Sequence, residues 1–226
     1  ELVDNSKNIS GNIAHDLKKP LTKLKSNLEL VSLNVKNKNS SKYINQAIIE
    51  ADNLIKIFNA LLDIASFESE KKQDFKVLNL SLILNSIIEI YKPVIEEKNI
   101  IFKSNIEKDL KIFGNKILLT QCFTNILDNA IKYAKNNKNS LIEINSFNLR
   151  DIIHIEIIDN GEGIEEKDFQ RVFDRFVRLE KHRQTEGNGL GLSMVKAILN
   201  IHEAPITLSN NNPGLTVTIK FKNLNQ

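Results

Sequence analysis

The chain has 226 residues and a mass of 25.7 kDa, enough for one or two domains with at least one sizeable core. Hydrophobic residues at 41% and charged residues at 26% are ordinary for a globular protein and too apolar for a disordered one. A net charge of +3 from scattered basic residues makes no case for nucleic acid, and the single cysteine, Cys122, excludes a disulfide framework or a multi-cysteine metal site. No apolar run approaches the roughly 20 residues that span a bilayer. Because Met194 is the only methionine, residue 1 is expected to be a fragment boundary or a cleavage point.

Residues 1–71 hold one Gly and one Pro, and their apolar residues keep a helical period. Ile9, Ile13, Leu17, Leu21, Leu24, Leu28, Val31 and Val35 step by fours and threes; Ile44, Ile48, Ala51, Ile55, Phe58, Leu62 and Ala65 do the same. Between the two runs lies the polar turn 37–41, with Ser40 or Ser41 a candidate N-cap. The pattern predicts an antiparallel helical hairpin. Two helices bury such a stripe poorly, so pairing with a second copy into a four-helix bundle is expected.

The pattern changes in the charged stretch 68–75, so the domains are expected at 1–71 and 72–226. Leu80–Ile95 reads as a helix ending near Pro93, Ile100–Asn105 and Leu110–Phe113 as short strands, and Lys116–Lys135 as a helix. Leu141–Asn148 and Ile152–Ile158 alternate with period two around a turn. Gly189–Ile201 is a helix, and Ile206–Ser209 and Leu215–Phe221 flank an Asn-Asn-Pro-Gly turn. Helices mixed with mostly antiparallel strands predict an α+β sandwich, one sheet covered by helices on one face.

Four local patterns carry chemistry. His15 lies roughly 200° around the helix from both Ile13 and Leu17, so it faces away from the buried stripe. With Asp16 beside it to hold one ring nitrogen, it is a candidate nucleophile; an exposed histidine beside an unrelated aspartate reads the same way. Asn125, Asn129 and Lys132 follow i, i+4, i+7 spacing on one helix face, with Tyr133 adjoining. Amide oxygens suit Mg²⁺ and a lysine suits phosphate, although in an Asn-rich chain the spacing alone means little. In Asp159-Asn160-Gly161-Glu162-Gly163, strand parity puts Asp159 on the face of Ile153, Ile155 and Ile157. A carboxylate there needs a polar partner, such as the exocyclic amine of adenine, unless it simply caps a loop. Gly187-Asn188-Gly189-Leu190-Gly191 opens a helix, which suits a phosphate cradle or a plain hinge. It is not the dinucleotide G-x-G-x-x-G spacing, and no Walker A sequence exists.

Taken in order, these patterns resemble the sensor histidine kinases of two-component systems, and Phe173-Asp174-Arg175-Phe176-Val177-Arg178 is similar to that family's phenylalanine box. The resemblance runs from about residue 8 to residue 221. It implies an all-α hairpin that dimerises and accepts phosphate, then an ATP-binding α+β sandwich of the GHKL type shared with gyrase and a heat-shock chaperone. It implies autophosphorylation of His15 with Asp16 as acid/base partner, followed by transfer to an aspartate of a response regulator. Asn129 would ligate Mg²⁺, and Asn125, Lys132 and Tyr133 would surround ATP. Asp159 would take the adenine amine, with Gly161 and Gly163 beside it. Gly187, Gly189, Leu190 and Gly191 would hold phosphates, and Arg175 or Arg178 would meet the γ-phosphate. A homodimer in the cytoplasm is implied, the parent protein being a candidate for membrane anchoring. A degenerate scaffold and a gyrase-like ATPase are the competing readings; the intact motifs oppose the first and His15 opposes the second. Two departures stand out. Lys19 occupies the position, four residues after the histidine, where the family has Thr or Asn, and Ala204-Pro205 replaces a Gly-rich turn. An ammonium cannot accept a proton from water, so weak phosphatase activity toward the phosphorylated regulator is expected.

Overall fold

A computed structural model describes residues 21–31, 38–67, 74–134, 139–179 and 189–224. Residues 21–31 are helical (α1) and are followed by the 30-residue α2 (Lys38–Phe67). Lys25 Nζ lies 2.7 Å from Asp52 Oδ1 and ties the two helices together. Of the stripe read from the sequence, Ile9, Ile13, Leu17 and Val35 lie outside the described residues, and the rest is unevenly buried. Ala51 is buried, Ile44, Ile48, Ile55 and Phe58 are partly so, and Leu24 and Val31 are exposed.

The rest of the chain runs β1 (Lys76–Asn79), α3 (Leu80–Glu97), β2 (Ile101–Ile106), β3 (Lys111–Gly114), α4 (Lys116–Tyr133), β4 (Leu141–Leu149) and β5 (Ile152–Asp159). Two single 3-10 turns, Glu166–Asp168 and Arg171–Phe173, precede α5 (Gly191–Ile201), β6 (Ile206–Asn210) and β7 (Leu215–Lys222). Five strands form one sheet in the order β2-β4-β5-β7-β6. Every pairing in it is antiparallel except β2 with β4, and β1 and β3 make a separate antiparallel ribbon. The alternating Ile of β4 and β5 (Ile142, Ile144, Ile153, Ile155, Ile157) turn one sheet face onto α3, α4 and α5 and form the core with their apolar stripes.

Local chemistry explains most boundaries. Asn79 caps α3 by accepting from the Leu82 N–H at 3.1 Å, and Asn115 caps α4 by accepting from Ile117 and Leu118. Arg150 and Asp151, both at positive φ, form a two-residue turn between β4 and β5, the backbone that matches strand twist in a hairpin. Two boundaries differ from expectation. Helix α2 begins at Lys38, so residues 38–41 of the expected turn and both cap candidates, Ser40 and Ser41, lie inside its first turns. Helix α3 does not stop at Pro93 but continues to Glu97. Pro93 sits on the solvent side, where water can take the carbonyl it frees, while Ile95 beyond it is buried in the core. The ribbon strand β1 had no signal of its own, because its partner β3 is distant in sequence.

The ends of α4 and α5 are joined by His202, at the C-cap of α5. Its Nε2 accepts from the Asn115 N–H at 3.1 Å, its Nδ1 lies 2.8 Å from the Ile198 carbonyl, and its ring stacks on Phe75 with centroids 4.6 Å apart. The second half of α2 reaches this unit as well, with Ile57, Ala60 and Leu61 packed against the core.

Candidate functional site

A cavity of about 360 Å³ opens between α4, the end of β5, the loop after it, the segment around Arg178 and the start of α5. Helix α4 supplies Asn125, Asn129, Lys132 and Tyr133, which the i, i+4, i+7 spacing puts on one face while Leu119, Cys122 and Phe123 face the core. Lys132 Nζ also lies 4.8 Å from the Tyr133 ring centroid, a cation–π distance.

Asp159 forms the opposite end. It is the last residue of β5, on the buried face and only 9% exposed. Its Oδ1 accepts from the Gly161 N–H at 2.8 Å and the Leu215 N–H at 3.3 Å. Burial pushes its carboxyl above the ordinary range, and these two backbone bonds only partly oppose the shift. Both bonds fall on the same oxygen. The carboxyl group therefore keeps acceptor capacity for a donor in the cavity.

Two glycines make this possible. A Cβ at Gly161 would lie 2.6 Å from the Tyr133 carbonyl oxygen and 2.8 Å from Asp159 Oδ1, so the loop can pass beneath the end of α4 only without a side chain. Gly214, at φ +117, abuts the backbone of Asp159, where a Cβ would come within 1.9 Å of its carbonyl oxygen.

The remaining predicted residues divide. Gly163, Gly189 and Gly191 line the cavity, as does Arg178, whereas Arg175 is exposed and does not. Leu190 has its side chain in the core at 1% exposure, so it meets a ligand through its backbone or not at all. His15, Asp16, Lys19 and Gly187 lie outside the described residues. The apolar walls, Ile157, Val172, Leu215 and Val217, were not singled out in the sequence. Ile157 and Val217 face each other across β5 and β7, a pairing that no local pattern announces, although Ile157 shares its face with Asp159.

The arrangement suits a flat, largely apolar ring with a polar amino edge at Asp159 and an anionic tail at the other end. There α5 begins after Leu190 with no side-chain cap among the described residues, and the first backbone N–H groups of a helix suit an anion. The amides of Asn125 and Asn129 offer neutral oxygen donors of the kind a hard cation takes. Among the described residues no group of His, Cys, Asp and Glu could hold a metal ion alone, so a cation here would also draw on its ligand's oxygens.

Two family descriptions match. "His Kinase A (phospho-acceptor) domain" covers residues 7–70, and "Histidine kinase-, DNA gyrase B-, and HSP90-like ATPase" covers residues 114–225. The chain belongs to the sensor histidine kinases. Among similar proteins is the heme sensor protein HssS of Staphylococcus saprophyticus, 30% identical over 224 residues, covering 98% of this chain and 48% of that protein. The sensor histidine kinase WalK of Bacillus subtilis is 28% identical, with 93% and 36% covered. The chain thus spans half or less of the length of these relatives. Full-length ShkA, solved in complex with AMPPNP, shares the fold with a TM-score of 0.76 at 16% identity, over 96% of this chain and 46% of that one. The Acinetobacter baumannii histidine kinase AdeS does so at 0.64 and 17% identity, over 93% and 98%. No helix among the described residues of this sensor histidine kinase is long and apolar enough to cross a membrane.

Proposed function

We propose that this chain is the catalytic core of its kinase: it binds ATP with Mg²⁺, phosphorylates His15 and passes the phosphoryl group to an aspartate of a response-regulator receiver domain. One observation carries the reading. A buried carboxyl at Asp159 and the polar face of Asn125, Asn129 and Lys132 line one cavity beside a helix start without a side-chain cap among the described residues. The AMPPNP bound by ShkA, which shares this fold, supports a nucleotide as the ligand.

In this reading Asp159 takes the adenine amine over the Ile157 and Val217 floor. Asn129, with Asn125 beside it, holds Mg²⁺, which neutralises charge on the phosphates. Lys132, Tyr133 and the backbone at Gly187, Gly189, Leu190 and Gly191 surround the polyphosphate, while Gly161 and Gly163 shape the loop. Arg178 is the better choice for the γ-phosphate, because it lines the cavity and Arg175 does not. The unprotonated imidazole nitrogen of His15 attacks phosphorus in line. The N–P bond forms as the bond to the leaving ADP oxygen breaks, and Asp16 receives the proton of the other ring nitrogen. Residues 1–71 dimerise and carry the acceptor, and residues 72–226 bind the nucleotide. The unit works as a homodimer in the cytoplasm, attached to whatever sensor its parent carries.

The test is incubation of the chain with radiolabelled Mg·ATP. Acid-labile, base-stable phosphate mapped to His15 is the expected result. Bound nucleotide without phosphate on His15 would leave a scaffold, and release of phosphate with no phosphoprotein would leave an ATPase.

A further inference from the structure

Methionine is scarce in this chain, and its one copy is placed where it meets two polar side chains. Met194 lies on α5, is 6% exposed and belongs to the core with Cys122, Val195 and Ile198. Its Sδ accepts from Gln121 Nε2 at 3.0 Å and from Asn125 Nδ2 at 3.4 Å. Gln121 and Asn125 are one turn apart on α4, so a single sulfur on α5 receives both amides across the helix interface. A thioether is a weak acceptor, but it is polarisable and its unbranched side chain reaches where a branched one cannot.

The consequence falls on the cavity. An asparagine amide keeps its shape when rotated by half a turn, but exchanges a donor for an acceptor. With Nδ2 held against the sulfur, the other atom of the Asn125 amide faces the start of α5: a Cβ built at Gly191 would lie 3.7 Å from Asn125 Oδ1. Asn129 presents the opposite polarity there, its Nδ2 being 3.9 Å from the same point. We infer that Met194 is a positioning residue, whose sulfur sets the polarity of the Asn125 amide so that its oxygen, not its nitrogen, is offered at the anion-binding end of the cavity. With leucine or isoleucine at 194, both α4 amides would face hydrocarbon, and Asn125 would gain by turning its N–H₂ toward the cavity.

The functional part rests on the nucleotide reading above; the orientation itself does not. An oxygen turned toward a polyphosphate is favourable when a cation lies between them, and an N–H₂ group is favourable when none does. Met194→Leu and Met194→Ile should therefore weaken Mg·ADP binding by about three- to tenfold while leaving ADP binding in excess EDTA equal or tighter. A general loosening of the core would weaken both together. In parallel, side-chain amide NMR of the same proteins should show the Asn125 and Gln121 NH₂ signals shifted and exchanging faster with solvent in either variant. Asn125 signals identical to those of the unaltered chain in both variants would overturn the proposal, as would unchanged Mg·ADP affinity. If the unaltered chain binds no ADP at all, the nucleotide reading fails instead, and the amide signals still decide whether Met194 orients Asn125.

Discussion

The helical hairpin and the α/β sandwich bury their apolar residues to very different extents. In the sandwich Leu80, Leu119, Ile142, Ile153, Val195 and Ile219 are sealed from water, whereas on the hairpin Ile44, Ile48 and Ile55 are only partly buried. Leu24 and Val31, both on the predicted stripe, stay about half exposed. The sandwich has its own core of three helices on a sheet, to which Ile57, Ala60 and Leu61 of α2 add only a margin. On the hairpin the described part of the seam is only partly covered. A second copy is the simplest cover for such a seam; on the proposed reading, the region that carries His15 depends on assembly and the region that holds the nucleotide does not.

The sharpest test of this division is His15→Gln. It should abolish phosphorylation and leave Mg·ADP affinity unchanged by calorimetry; phosphate remaining on another residue would misplace the acceptor. Asp159→Asn attacks the other region. The amide oxygen can still accept from Gly161 and Leu215, but the second oxygen becomes an N–H₂ donor facing a donor amine. Nucleotide affinity should fall between about fivefold and a hundredfold, with the fold retained by circular dichroism. The same variant has a pH signature. Burial raises the Asp159 carboxyl above its ordinary value of 3.8, so the folded state holds that proton more tightly than the unfolded one. Its contribution therefore lowers stability as pH climbs from the ordinary carboxylate value through the raised folded one. Thermal melts across that window should show a smaller decline in Asp159→Asn than in the unaltered chain.

Cutting the molecule at the expected boundary sharpens the comparison further. Residues 72–226 alone should be a folded monomer that binds Mg·ADP within roughly a factor of two of the whole chain. The whole chain should scatter light as a dimer. Within the sandwich, His202→Ala removes the acceptor of the Asn115 N–H and the stack on Phe75. It should cost about 1–2 kcal/mol, seen as a melting temperature lower by about 3–6 °C. The smallest effect is expected at Lys19. Lys19→Thr should shorten the lifetime of the phosphorylated regulator a few-fold in the presence of ADP. A strong effect of the unaltered chain, with nothing added by threonine, would remove the role given to the ammonium.

What the sequence disclosed follows the range of the interactions involved. The face shared by Asn125, Asn129 and Lys132, and the inward side of Asp159, are consequences of helix and strand period, which act over a few residues. The floor made by Ile157 and Val217 depends on β7 pairing with β5 across some sixty residues of chain, and the parallel alignment of β2 with β4 spans some forty. Pro93 does not end its helix, because burial of Ile95 just beyond it outweighs the lost hydrogen bond, and that burial is set by the core and not by local sequence. Leu190 belongs to a glycine-rich run in sequence, yet its own side chain is a core residue.

The two ends of β5 offer very different freedom to anyone who wishes to alter this protein. At one end Gly214 and Gly161 crowd Asp159 so closely that neither position admits even a methyl group, and an insertion in either loop would displace the carboxyl. At the other end Arg150 and Asp151 form an exposed tight turn, eight residues of strand away from the cavity. That turn is the place to graft a fluorophore or an affinity tag. A reporter there would stand clear of the nucleotide, leaving assembly and regulator docking open to observation in the same labelled molecule.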